Sequence, residues 1–127
     1  MPHDNRRADR VAEAIREEVA TFLAEGVKDP RVVGFVTVTA VDVTPDLRQA
    51  RIFVSVMGSD EERAATFEGL ASLAAHLRPL VARRLRLRFA PELEFRADPS
   101  VERAARIETL LSQIREGQLP PDKDALD

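Results

Sequence analysis

At 127 residues, 44% of them hydrophobic and 32% charged, the sequence fits one globular domain with a single modest core. It has no cysteine, which excludes disulfides, thiol nucleophiles and thiolate metal sites and agrees with a cytoplasmic protein. The net charge of −3 is not that of a basic nucleic-acid-binding domain, yet Glu116, Asp122, Asp124 and Asp127 against Lys123 account for all of it, so residues 1–115 are neutral and any basic surface must be local.

No apolar run of about 18 residues could span a bilayer, and the opening MPHDNRRADR lacks the apolar segment of a secretory signal. Residues 1–7 are expected to form a flexible arm. From Ala8 to Glu25 the residues Val11, Ile15, Val19, Phe22 and Leu23 recur at helical spacing, which predicts an amphipathic helix with Arg10 on its outer face. Gly26 stands where a C-terminal cap belongs. Asp29-Pro30 enforces an extended loop, because the residue before proline avoids helical angles, and Lys28 and Arg31 flank that turn.

FVTVTAVDV, from Phe35 to Val43, reads as a strand whose alternation slips. Val36 and Val38 share one face while Val41 and Val43 fall on the other, so an extra residue, a bulge near Thr39-Ala40, is needed for both pairs to point inward. Thr44-Pro45-Asp46 supplies a turn. The second strand, Ala50 to Met57, alternates cleanly.

Ser59-Asp60-Glu61-Glu62 matches a capping box and opens a helix. Its apolar stripe runs through Phe67, Leu70, Leu73 and Leu77 to Pro79, which lacks an amide proton and clashes with the carbonyl of Ala75. A bend between two helices is expected there. LRPLVARRLRLR follows, with Arg78, Arg83, Arg84, Arg86 and Arg88 and no acid. A third strand spans Glu92 to Ala97, Asp98-Pro99 starts a last helix over Ala104, Ile107, Leu110, Leu111 and Ile114, and residues 116–127 read as an acidic, disordered tail.

Little in this inventory carries catalysis. His3 and His76 are too far apart to share a metal, and the glycines are scattered rather than grouped to cradle phosphate. Glu92 and Glu94 share a strand face, as paired acid/base carboxylates would, but an outward polar face explains them more simply. No catalytic residue, metal or cofactor is expected.

Helix, strand, strand, bent helix pair, strand is the order of an α+β, type II KH-like domain, here with an added C-terminal helix in residues 8–115. The GxxG turn with which KH domains grip single-stranded nucleic acid is absent between the two helices. RVAEAIREEVATFL, VKDPRV, VTVTAVDVTPDLRQARIFVSVMG, LRLRFAPELEF and DPSVERAARIETLL, in unbroken order over residues 6–115, together resemble the bacterial ribosome-binding factor A family. The resemblance implies a KH variant that binds the free small (30S) ribosomal subunit, assists its late maturation and the 5′-end processing of 16S rRNA, and supports growth in the cold. In that family the helix pair bends at an Ala-x-Gly element. This chain has Leu73-Ala74-Ala75 there, so Ala75 replaces the glycine, and Pro79 is expected to cause the bend instead.

The arginines have a structural role open to them, since cations in the last turn of a helix offset its macrodipole. That covers Arg83, Arg84 and Arg86 but not Arg78 or Arg88. Together with the resemblance, the segment predicts an RNA-binding surface of Arg78, Arg83, Arg84, Arg86 and Arg88, with Lys28, Arg31 and Arg10 as further candidates. A monomer is expected, with the small subunit and 16S rRNA as partners and an assembly GTPase as a further one. The competing expectation is a protein-interaction module that docks on an assembly partner without touching RNA.

Overall fold

The computed structural model describes residues 6–26, 29–32 and 35–117. Helix α1 (Arg6–Ala24) is followed by strands β1 (Phe35–Val43) and β2 (Gln49–Met57), helix α2 (Asp60–Arg84), strand β3 (Glu92–Ala97) and helix α3 (Pro99–Arg115). Arg6 and Arg7 belong to α1, so the arm expected over residues 1–7 is helical at its end; residues 1–5, like Lys28 and the tail from residue 118, lie outside the described residues. No described helix is long and apolar enough to cross a membrane.

The sheet order is β1-β2-β3, with β2 antiparallel to β1 and parallel to β3. A parallel neighbour requires a crossover, which α2 supplies. The slip in β1 is a real bulge. The register shifts between Val38 and Ala40, so that Val36, Val38, Val41 and Val43 pair with Val56, Val54, Ile52 and Ala50 on one face. Thr39, the extra residue, donates its hydroxyl to Asp98 Oδ2 at 2.6 Å, and Asp98 Oδ1 accepts the Ser100 amide at 2.9 Å as the N-cap of α3. One carboxylate thus ties the bulge to the start of the last helix.

The core lies between that face of the sheet and α1 and α2. Ile15 and Val19, Ile52 and Val54, and Leu70, Leu77 and Val81 are all at most 1% exposed. The capping box at α2 is complete: the Glu62 amide donates to Ser59 Oγ at 3.1 Å and the Ser59 amide to Glu62 Oε1 at 2.9 Å.

One expectation needs correction. The helix pair is one continuous α-helix of 25 residues that runs through Ala75 and Pro79. Proline deletes only one hydrogen bond; Ala75 is a far better helix former than the glycine it replaces. Buried Leu77 and Val81 also hold the segments on either side of Pro79 to the same core. The last helix forms over the residues expected, and its described apolar side chains are at most half-buried. Ile107 and Leu111 are each 51% exposed. β3 stops pairing at Ala97 opposite Val54, and α3 then passes beside the last residues of β2, where Ala105, Thr109 and Leu110 line an open cavity with Val54, Val56 and Met57.

Gly69 shows how closely the 29–32 loop lies on α2. It is buried, and a Cβ there would sit 2.7 Å from Val32 Cγ2 and 3.3 Å from Arg31 Cβ. Gly69→Ala gains about 1 kcal/mol of helix propensity but must push back a stiff β-branched side chain, at about 1–3 kcal/mol. The expected result is a net loss of about 1 kcal/mol, read as a lower urea midpoint. A raised midpoint would show that the loop does not press on α2.

Candidate nucleic-acid interface

At the end of α2 the chain places its cations by two local rules. Arg83 and Arg84 occupy the last helical turn, where positive charge complements the macrodipole. Beyond it Leu85 and Leu87 pack against the core, which leaves Arg86 and Arg88 exposed between and after them. The turn is closed by the Arg86 amide donating to Arg83 O at 3.2 Å and the Leu87 amide to Ala82 O at 2.9 Å. This paired closure requires a left-handed residue just past the helix, usually glycine. Here it is Arg86, with φ 55°. A side chain in that conformation costs about 1–2 kcal/mol.

None of Arg83, Arg84, Arg86 and Arg88 forms an ion pair with a described carboxylate, whereas Arg16, Arg31, Arg78 and Arg96 are bridged to Glu13, Asp29, Glu92 and Glu94. The reason is visible in the chain, which has no acid between Glu68 and Glu92. Glu92, the nearer one, is turned to Arg78 at 3.3 Å. The four guanidiniums, all exposed and within six residues, have no hydrogen-bond or ion-pair partner among the described residues.

Arg78 is placed differently. It is half-buried, its Nε donates to Pro91 O at 3.0 Å and its Nη2 to Ala90 O at 3.2 Å. It is a strut between α2 and the loop that leads into β3. Arg31 is engaged as well. It holds Asp29 through two guanidinium bonds of 3.0 and 2.7 Å and reaches Ser72 Oγ at 2.9 Å. The Arg31 side chain first, and its amide second, pull the Asp29 carboxyl down to about 2 from its ordinary 3.8. Ser72 lies eleven residues before Arg83, about 16 Å along the helix axis; Arg31 is therefore not part of the same cluster. Arg10 is exposed on α1, a separate element.

Glu92 and Glu94 are each bridged to an arginine and face away from the core. Among the described residues no group of three histidines or acids could hold a metal ion.

A family model described as ribosome-binding factor A matches residues 7–111. The chain belongs to the ribosome-binding factor A family. Ribosome-binding factor A of Gemmatimonas aurantiaca is 65% identical over 111 residues, which is 87% of this chain and 76% of that one. The Geobacter sulfurreducens member is 51% identical over 108 residues, 85% of this chain and 91% of its own length. Among solved structures, the crystal structure of Thermus thermophilus ribosome-binding factor A superposes with a TM-score of 0.59 at 24% identity, covering 71% of this chain and 94% of that one. The solution structure of the putative Thermotoga maritima ribosome-binding factor A gives 0.54 at 34% identity, over 67% and 84%. The fold of the family is therefore that of the α+β chain described above.

Within this member of the ribosome-binding factor A family, two residues beside the cluster were not singled out from the sequence. Arg48, in the β1–β2 turn, places its guanidinium carbon 4.6 Å from the centre of the Phe89 ring, and that of Arg88 is 5.8 Å away. Phe89 is 54% exposed. An aromatic residue directly after LRLR is a signal that could have marked it, since base-binding surfaces interleave rings with cations. Arg48 carries no such signal, because it comes to Phe89 only through the pairing of β2 with β3.

Proposed function

We propose that the chain binds the free small (30S) ribosomal subunit through the arginine-rich end of α2. It thereby assists late maturation of the subunit, including 5′-end processing of 16S rRNA, and supports growth in the cold. The reading rests on family membership, and one observation supports this choice of surface: four exposed, acid-free arginines in six consecutive residues. The action is binding without catalysis, by a cytoplasmic monomer. Such a protein biases rRNA only by holding one of its conformations more tightly than the other, and the bias matters most in the cold, where mispaired RNA escapes slowly.

Co-sedimentation with free small subunits, mature subunits and joined ribosomes tests this directly. Binding to free subunits that weakens steeply as salt rises is expected, because each neutralised phosphate adds about 0.7–0.9 to the log–log slope. Indifference to all three particles would reject the reading. A second reading is favoured by Ile107 and Leu111, exposed on α3: a protein partner such as an assembly GTPase docks there, and its capture would resist both RNase and salt.

A further inference from the structure

We propose that Phe89, framed by Arg48 and Arg88, is a stacking site for one unpaired RNA base. This deepens the small-subunit reading, on which it rests, by naming a single-stranded segment as what this end of the molecule holds. A half-exposed ring with a guanidinium 4.6 Å from its centre and another at 5.8 Å combines the groups a nucleotide needs. The ring and the planar guanidinium offer faces to a base, and the cations serve the phosphates on either side.

Both halves of the platform are fixed in advance. On one side the β1–β2 turn is closed by the Leu47 amide on Thr44 O at 2.8 Å and the Thr44 amide on Gln49 O at 3.0 Å. Asp46 Oδ1 accepts the Thr44 hydroxyl at 2.7 Å and the Arg48 amide at 3.1 Å. These two bonds, the hydroxyl first, hold the Asp46 carboxyl below its usual range. On the other side Arg78 grips the carbonyls of Ala90 and Pro91, the two residues after Phe89. The Glu92 amide donates to Arg48 O at 2.8 Å and joins the two loops. Asp46 is held by the turn and Glu92 by Arg78, and neither forms an ion pair with the Arg48 or Arg88 guanidinium, although the Asp46 charge is felt by Arg48.

A rival role exists: the ring and the two guanidiniums form only an internal clasp. The composition of the chain separates the two, because it has no tryptophan and no tyrosine. Phe89→Trp therefore introduces a single indole at the site. Titrated with a short single-stranded oligoribonucleotide, its fluorescence is quenched; the same length of abasic strand, or the same sequence as a duplex, leaves it unquenched. Phe89→Leu keeps the unfolding midpoint of the native protein but binds the single strand about tenfold or more weakly. Its salt slope is unchanged, since no phosphate contact is lost. Arg88→Gln does the reverse and lowers the slope by about 0.7.

Equal quenching by the abasic strand, or native affinity in Phe89→Leu, would overturn the stacking site. If the native protein sediments with free subunits and Phe89→Leu does so equally well, the stacking site fails and the small-subunit reading survives. If the native protein does not sediment with them, that reading fails and the oligonucleotide titration still decides the site.

Discussion

Replacing Arg83, Arg84, Arg86 and Arg88 together with glutamine is expected to lower the salt slope of small-subunit binding by about 3, at roughly 0.7–0.9 per lost phosphate contact. In practice, a fourfold rise in salt would weaken the native protein about 60-fold more than the variant. Folding should weaken only by the lost helix-end compensation, about 0.6–2 kcal/mol in total. None of the four side chains is hydrogen-bonded or ion-paired to a described residue, and the ring contact of Arg88 is the one interaction removed. Loss of macrodipole compensation by Arg83 and Arg84 costs about 0.3–1 kcal/mol each at most. The two explanations of the cluster therefore separate cleanly. If the arginines serve the helix alone, the same modest drop in thermal midpoint appears while the slope stays where it was.

Arg78→Ala should show the opposite signature, a loss of about 2–3 kcal/mol of stability, or about 10 °C in midpoint for a domain of this size. The side chain satisfies two backbone carbonyls, one of them on Pro91, which is almost fully buried, and it also meets Glu92. Hydrogen bonds from a charged donor are worth more than neutral ones, and the abandoned carbonyls would keep the cost of their burial. Arg78→Lys should recover only part of the loss, because one ammonium cannot span both carbonyls as the planar guanidinium fork does. Calorimetry on the three proteins checks the order. If Arg78→Ala melts with the native protein yet loses subunit binding, Arg78 belongs to the RNA surface and not to the scaffold.

The contrast between these arginines marks where local patterns stop informing. The helical stripe of α1, the capping box of Ser59 and Glu62 and the bulge at Thr39 were legible because each is written within about a dozen residues, in period and spacing. The arginine cluster was legible as charge for the same reason. The capture of Arg78 was not: its partners lie twelve to fourteen residues on, and only the return of the chain into β3 brings them within reach. Arg48 meets Phe89 across an even longer separation. Pro79 misled for a related reason. Its local penalty is real, but buried neighbours on both sides outweigh it and keep α2 in one piece. The last helix was legible too, but the exposure of Ile107 and Leu111 was not, because periodicity says which face is apolar and nothing about whether a partner surface remains to cover it.

The left-handed Arg86 sets heat resistance against retention of that cation. Arg86→Gly should relieve the strain at the end of α2 and, after the greater freedom of glycine in the unfolded chain is subtracted, raise stability by about 0.5–1 kcal/mol. It should also remove one cation from the cluster, lowering the salt slope by about 0.7–0.9. A library sorted only for survival of heating would then enrich this substitution, and one sorted for growth in the cold would purge it. Enrichment under both regimes would mean that the charge at this position is dispensable.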